Sequence, residues 1–106
     1  MLDIHAVSLQ VCRDSVAIIR AISTQDRNLA DQLRRAVTSV PLNIGESDGL
    51  NGGNRRQRRL TALGSAREVS SCMQVAVAMS YIDAVPEEMS ARLDHVIGVL
   101  VKVARP

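Results

Sequence analysis

Apolar residues recur along this chain at alternating intervals of three and four. Ile4, Val7, Val11, Cys12, Ser15, Ile18, Ile19 and Ile22 mark one face of a first helix. Ser23-Thr24 and the polar residues to Asn28 interrupt the pattern and supply caps for the next element. Leu29, Leu33, Ala36, Val37, Val40 and Ile44 form a second, cleaner stripe. Pro41 falls inside it. A proline there lacks an N–H and crowds the carbonyl of Val37, so a kink is expected, while the stripe keeps its phase to Ile44.

Asp48 to Asn54 (DGLNGGN) reads as a turn. A third helix is predicted from about Asn54 to Tyr81, with Ala62, Ala66, Val69, Met73, Ala76 and Val77 on one face. Asp83 to Pro86 makes the next connection. Pro86-Glu87-Glu88 is a strong helix start, with carboxylates at the favourable end of the dipole. Met89, Leu93, Val96, Ile97, Leu100 and Ala104 then complete a fourth helix. Four amphipathic helices with short connections predict an all-α protein: one antiparallel up-down four-helix bundle over residues 1–106, its second helix kinked at Pro41.

Composition narrows the core. Tyr81 is the only aromatic residue, so Val, Ile, Leu, Met and Ala must fill the interior. Cys12 and Cys72 lie in apolar helical stripes and read as reduced core thiols of a cytosolic protein. Met1 to His5 lacks the positive start of a secretory leader, and no uncharged stretch approaches bilayer length. A cytoplasmic location without a membrane partner is the expectation.

Charge is distributed unevenly. Arg27 to Arg67 holds eight arginines against Asp31, Glu46 and Asp48, a net of +5, while the rest of the chain nets −3. Arg55, Arg56, Arg58 and Arg59 crowd the predicted start of the third helix, where the dipole favours anions and arginines repel one another. Because the fold does not call for this arrangement, an anionic partner is expected. Arg55, Arg58 and Arg59 continue the side of the helix that carries Ala62, Ala66 and Met73. They are expected at the rim of the bundle or around a cavity. Leu60 and Leu63 point away from that side and Leu42 lies on the polar side of the second helix, so all three are expected to pack against another subunit.

Gln32 to Glu46 (QLRRAVTSVPLNIGE) resembles the signature QLRRAxxSxPxNIAEG of a bacterial four-helix-bundle family encoded in intervening sequences of 23S ribosomal RNA genes. Ala62-Leu63-Gly64-Ser65 with Glu68, and later Tyr81-Ile82, resemble its second signature, ALGSxxE…GYI. The retroelement accessory variability determinant proteins belong to the same family. The chain departs from the pattern at Arg58-Arg59, where the family commonly has Phe-Leu, and in a turn about one residue shorter. The resemblance implies the bundle and a ring-shaped homo-oligomer, typically a pentamer. For the retroelement branch it also implies nucleic-acid binding and partnership with a reverse transcriptase.

Three functions follow for weighing. The first is a non-enzymatic oligomeric scaffold in which Arg34, Arg55, Arg56, Arg58 and Arg59 contact RNA or DNA phosphates with low sequence specificity, since only Tyr81 could stack a base. The second is an adaptor that docks a protein such as a reverse transcriptase. An enzyme is the weakest reading. His5 and His95 make no Glu-x-x-His metal motif, no Cys/His zinc spacing occurs, and DGLNGGN lacks a P-loop ending, so no cofactor is expected. Arg35, Glu46 and Glu68 read as structural ion-pair candidates, with Glu68 pairing to Arg34 or Arg35, in preference to a catalytic carboxylate. Gly64-Ser65 is expected to permit close helix approach, and His95 to be solvated or capping.

Overall fold

A computed structural model describes residues 3–104 and contains four helices: α1 (Ile4–Ser23), α2 (Arg27–Asp48), α3 (Gly52–Ala78) and α4 (Glu87–Ala104). Among the described residues there is no strand. Two starts are capped by carboxylates. Asp3 accepts from the His5 amide at 2.9 Å, and Asp26 accepts from the Leu29 amide at 2.9 Å. At α3 no side chain caps the start. Gly52, with φ of +56°, turns the chain into the helix instead, and this starts α3 two residues before Asn54.

The far end of α3 also differs from expectation. Ser80 adopts a φ of +60°, its amide donates to the Val77 carbonyl at 3.0 Å, and the Tyr81 amide donates back to the Ala76 carbonyl at 2.9 Å. These bonds close the helix at Ala78 rather than Tyr81. The 27 residues of α3, at about 1.5 Å per residue, match the 42 Å long axis of the molecule.

Each helix packs on two neighbours: α1 on α2 and α4, and α3 on α2 and α4. Gln25, between α1 and α2, donates to the Tyr81 carbonyl, and the Tyr81 hydroxyl meets Asp26 at 3.2 Å. The α1–α2 and α3–α4 connections therefore share one end. The starts of α1 and α3 meet the ends of α2 and α4 at the other.

Ile22, Leu33, Met89, Leu100, Val37, Val69 and Val96 are fully buried in the core. Burying each such side chain contributes about 1.5–3 kcal/mol. On α3 the fully buried positions Ala62, Ala66 and Ala76 are small, and the α2–α3 pair is the most extensively packed in the bundle.

Two positions of α3 depart from the expected face. Leu63 is only 7% exposed and belongs to the core. Packing against both α2 and α4 widens the buried arc of α3 from Cys72 on one flank to Leu63 on the other, so a residue about 100° from the Ala62 stripe is enclosed. Val77, placed on the inner face by its spacing, is exposed near the end of the helix.

Helix α2 runs unbroken through Pro41. The proline is buried, and the Cys12 thiol donates to the Val37 carbonyl at 3.3 Å. That carbonyl is the one a residue with an N–H at position 41 would have served.

Candidate nucleic-acid interface

The arginine cluster sits where three helix ends converge. Arg55 donates through Nε to the Ser47 carbonyl at 3.2 Å, near the end of α2. Arg56 donates through Nε to the Ala104 carbonyl at 2.9 Å, at the end of α4. Terminal carbonyls lack helical partners and carry the negative end of the macrodipole. The arginines oppose the dipole of their own helix but complement those of two neighbours. The expectation that the fold does not call for them is therefore corrected: the antiparallel neighbours supply the negative charge that a single helix lacks.

Arg59 is half-buried beside them. It lines a cavity of about 320 Å³ with Asp3, Asp48 and the apolar side chains of Ile44, Val99 and Leu100. This matches its expected place at a rim or cavity.

Arg58 turns the other way, across the outside of the α2–α3 pair. It meets Glu46 at 3.1 Å and the Asn43 side-chain carbonyl at 3.4 Å. Asn43 donates to the Ser39 carbonyl at 2.9 Å and to its hydroxyl at 3.0 Å, and the Ser39 and Ser65 hydroxyls meet at 2.8 Å. Ser39, Asn43, Glu46 and Ser65 of the two sequence signatures thus form one network with Arg58, joining α2 to α3. Arg35 and Leu42 line the same shallow groove. Leu42 is 66% exposed, and Leu60 is half-buried.

The ion-pair expectations divide. Glu46 is paired, but with Arg58. Glu68 has no ion-pair partner among the described residues, and Arg34 pairs instead with Asp31 at 2.6 Å. The helical phase explains this: Glu68 falls on the outer side of α3 and is exposed, whereas Asp31 lies one turn from Arg34 on the same helix. Arg35 likewise makes no ion pair among the described residues. Gly64 does not mediate a close approach within the chain, since a Cβ built there meets nothing within 4 Å. The contact at this point of α3 belongs to Ser65.

Outside the arginine end, the reactive side chains are quiet. Burial pushes both thiols up; Arg13 partly opposes this at Cys12, and Glu68 adds to it at Cys72. His95 is half-buried, with an Nε2 that is enclosed and lacks a partner among the described residues, so it is not solvated as its spacing suggested. No group of three His, Cys, Asp or Glu among the described residues is placed to hold a metal ion, and no described helix is long and apolar enough to cross a membrane.

Four packed helices, with a polar seam between the second and third, define a small all-helical bundle protein. The sequence pattern described as 23S rRNA-intervening sequence protein matches residues 2–102, and the chain belongs to that family. The fold is similar to the crystal structure of a protein of unknown function from the S23 ribosomal protein family of Bacteroides thetaiotaomicron VPI-5482. The TM-score is 0.82 at 16% identity, over 98% of this chain and 100% of that one. No curated protein matches the chain.

Proposed function

We propose that the protein is a non-enzymatic, self-associating scaffold that holds nucleic-acid phosphates at the arginine-bearing end of its bundle. The carrying observation is the way Arg55 and Arg56 are held. Each spends only Nε on a helix-terminal carbonyl, and no described residue engages the terminal nitrogens of either. A guanidinium oriented in this manner keeps its two outer nitrogens for a phosphate fork. Arg59 lies alongside. Arg58 and Arg34 contribute less, because each already faces a carboxylate.

Binding of a labelled RNA oligonucleotide across a salt series tests this reading, comparing wild type with Arg55→Gln/Arg56→Gln/Arg59→Gln. Glutamine keeps an N–H for the terminal carbonyls while removing the charge. Each phosphate contact adds about −0.7 to the slope of log K against log salt for a single strand. The slope should flatten in the variant. An unchanged slope, or no binding by wild type at low salt, would sink the proposal.

Self-association is supported by Leu42, which stands 66% exposed amid the polar seam of α2 and α3. A homopentamer, the state the family resemblance implies, would have a solution mass near five times 11.5 kDa. A mass of one chain would remove the assignment of Leu42 and Leu60 to an interface.

A second reading is an adaptor that docks a partner such as a reverse transcriptase without touching nucleic acid. The pairing of Arg34 with Asp31 and of Arg58 with Glu46 favours it, since both withdraw positive charge from phosphates. In that case the glutamine variant would leave partner docking intact.

A further inference from the structure

On the side of the bundle formed by α1 and α2, away from the arginine end, runs a groove of about 370 Å³. Ile19 and Val37, both buried, and half-buried Cys12 form its floor. Val16 stands beside them 45% exposed, and Arg20 and Arg34 line the groove from opposite helices. Leu9 and Arg13, both exposed, extend the pattern along α1, because Leu9, Arg13, Val16 and Arg20 share one stripe at helical spacing. Apolar and cationic positions thus alternate along more than two turns. Of the nearby carboxylates, Asp31 pairs with Arg34 and takes up that charge, while Asp14 is engaged with Arg92 at 2.8 Å. Arg20 has no ion-pair partner among the described residues.

We propose that this groove docks an acidic amphipathic helix of a partner protein. An apolar trough between two helices accepts a third through anchors spaced i, i+3 or i+4, and i+7. Arg13 and Arg20, exposed and without an ion pair among the described residues, select Asp and Glu beside those anchors, so charge complementarity sets orientation and on-rate. A nucleic acid fits less well, because the floor is aliphatic and offers no ring on which a base could stack. A second copy of the chain fits less well too. Its acidic helix, α4, exposes Glu87, Ala91, Asp94 and Gly98 along one stripe, which provides charge but no large apolar anchor. This surface shares only Arg34 with the phosphate contacts proposed above and goes beyond them.

The test is selection from a displayed library of helical peptides on the full chain. Peptides recovered should carry Leu, Ile or Met at i, i+3 or i+4, and i+7 with Asp or Glu flanking them. Binding of the best peptide should weaken about tenfold or more with Val16→Asp. It should weaken with Arg20→Glu as well, and return when the peptide's acidic flank is changed to lysine. Val16 and Arg20 are exposed, so both variants should keep the fold, with helical content checked by circular dichroism. Arg55→Gln/Arg56→Gln/Arg59→Gln should bind the peptide as wild type does. Recovery of peptides without that pattern, or binding indifferent to Val16→Asp and Arg20→Glu, would overturn the proposal. So would a drop in oligomer mass or in RNA affinity caused by Val16→Asp, which would assign the groove to a second copy or to nucleic acid.

Discussion

The Cys12 thiol donates to the Val37 carbonyl at 3.3 Å, four residues before the proline that leaves this carbonyl without its helical donor. A neighbouring helix thereby supplies part of what Pro41 removes from α2. The prediction is a coupling between positions 12 and 41. Cys12→Ala should destabilise by about 1 kcal/mol, because a half-buried acceptor loses its donor. The loss should shrink in a Pro41→Ala background, where the helix serves its own carbonyl. Urea denaturation of the four proteins of this double-mutant cycle measures the coupling. Additive effects would mean that the thiol merely packs there.

The bonds from Arg55 and Arg56 to the ends of α2 and α4 predict a stability role independent of any ligand. Arg56→Ala should lower stability by about 0.3–1 kcal/mol, with part of the loss disappearing at high salt as the dipole interaction is screened. Arg56→Lys should recover the electrostatic share but lose the geometry of the Nε–H bond. Chemical denaturation at low and high salt checks both.

Most of the fold was legible in residue spacing, since a 3-4 stripe depends only on which side chains avoid water. The helix ends were harder to read. Gly52 and Ser80 set them through positive φ, and only the glycine announces that conformation. The arginine end was readable as a charge anomaly but not as an answer to one. Its acceptors are the backbone carbonyls of Ser47 and Ala104, which no side-chain pattern displays. Leu63 was misplaced because a single apolar stripe describes a helix with one neighbour, and α3 has two. Ser39, Asn43, Glu46 and Ser65 of the polar seam were visible as motif residues and Arg58 as a departure from the motif, but their connection needed the register between α2 and α3.

Leu63 and Leu42 should respond very differently to truncation. Leu63→Ala removes a core side chain and should destabilise by about 2–5 kcal/mol. Leu42→Ala touches a side chain that is 66% exposed in the single chain, and below the concentration of any self-association it should change stability by about 0.5 kcal/mol or less. Thermal melts of both variants at low protein concentration make the comparison. A large loss for Leu42→Ala that grows with concentration would instead measure the interface.

Alkaline pH should weaken the fold. Burial raises the Cys12 and Cys72 thiols, and burial followed by the Asp26 carboxylate raises the Tyr81 phenol. A group held above its unfolded value contributes fully below that value and loses its contribution as pH rises through the folded one. With unfolded thiols at about 8.5 and phenols at about 10, the melting temperature should hold at neutral pH and fall above about pH 9. Replacing both cysteines with alanine should flatten the first part of that fall. The same thiols should react slowly with a disulfide reagent at pH 8, because the thiolate is the attacking species.

Gly45 and Gly64 sit inside helices without a visible need for glycine. A Cβ at Gly45 would meet the His5 ring at 3.5 Å, an ordinary contact, and one at Gly64 would meet nothing within 4 Å. Glycine in a helix interior is less favourable than alanine by about 0.8–1 kcal/mol. Gly45→Ala and Gly64→Ala should therefore each stabilise the chain by up to about that amount, with Gly45 gaining less because it lies in the last turn of α2. The two sites separate when self-association is monitored. Gly64 occupies the outer side of α3 near Leu60, where a second subunit would approach, whereas Gly45 faces His5 of the same chain. Gly64→Ala should raise the melting temperature at low concentration and reduce the gain on concentrating the protein; Gly45→Ala should raise it equally at both. A Gly64→Ala variant that gains the same stability at every concentration would show that no second chain packs closely on that face.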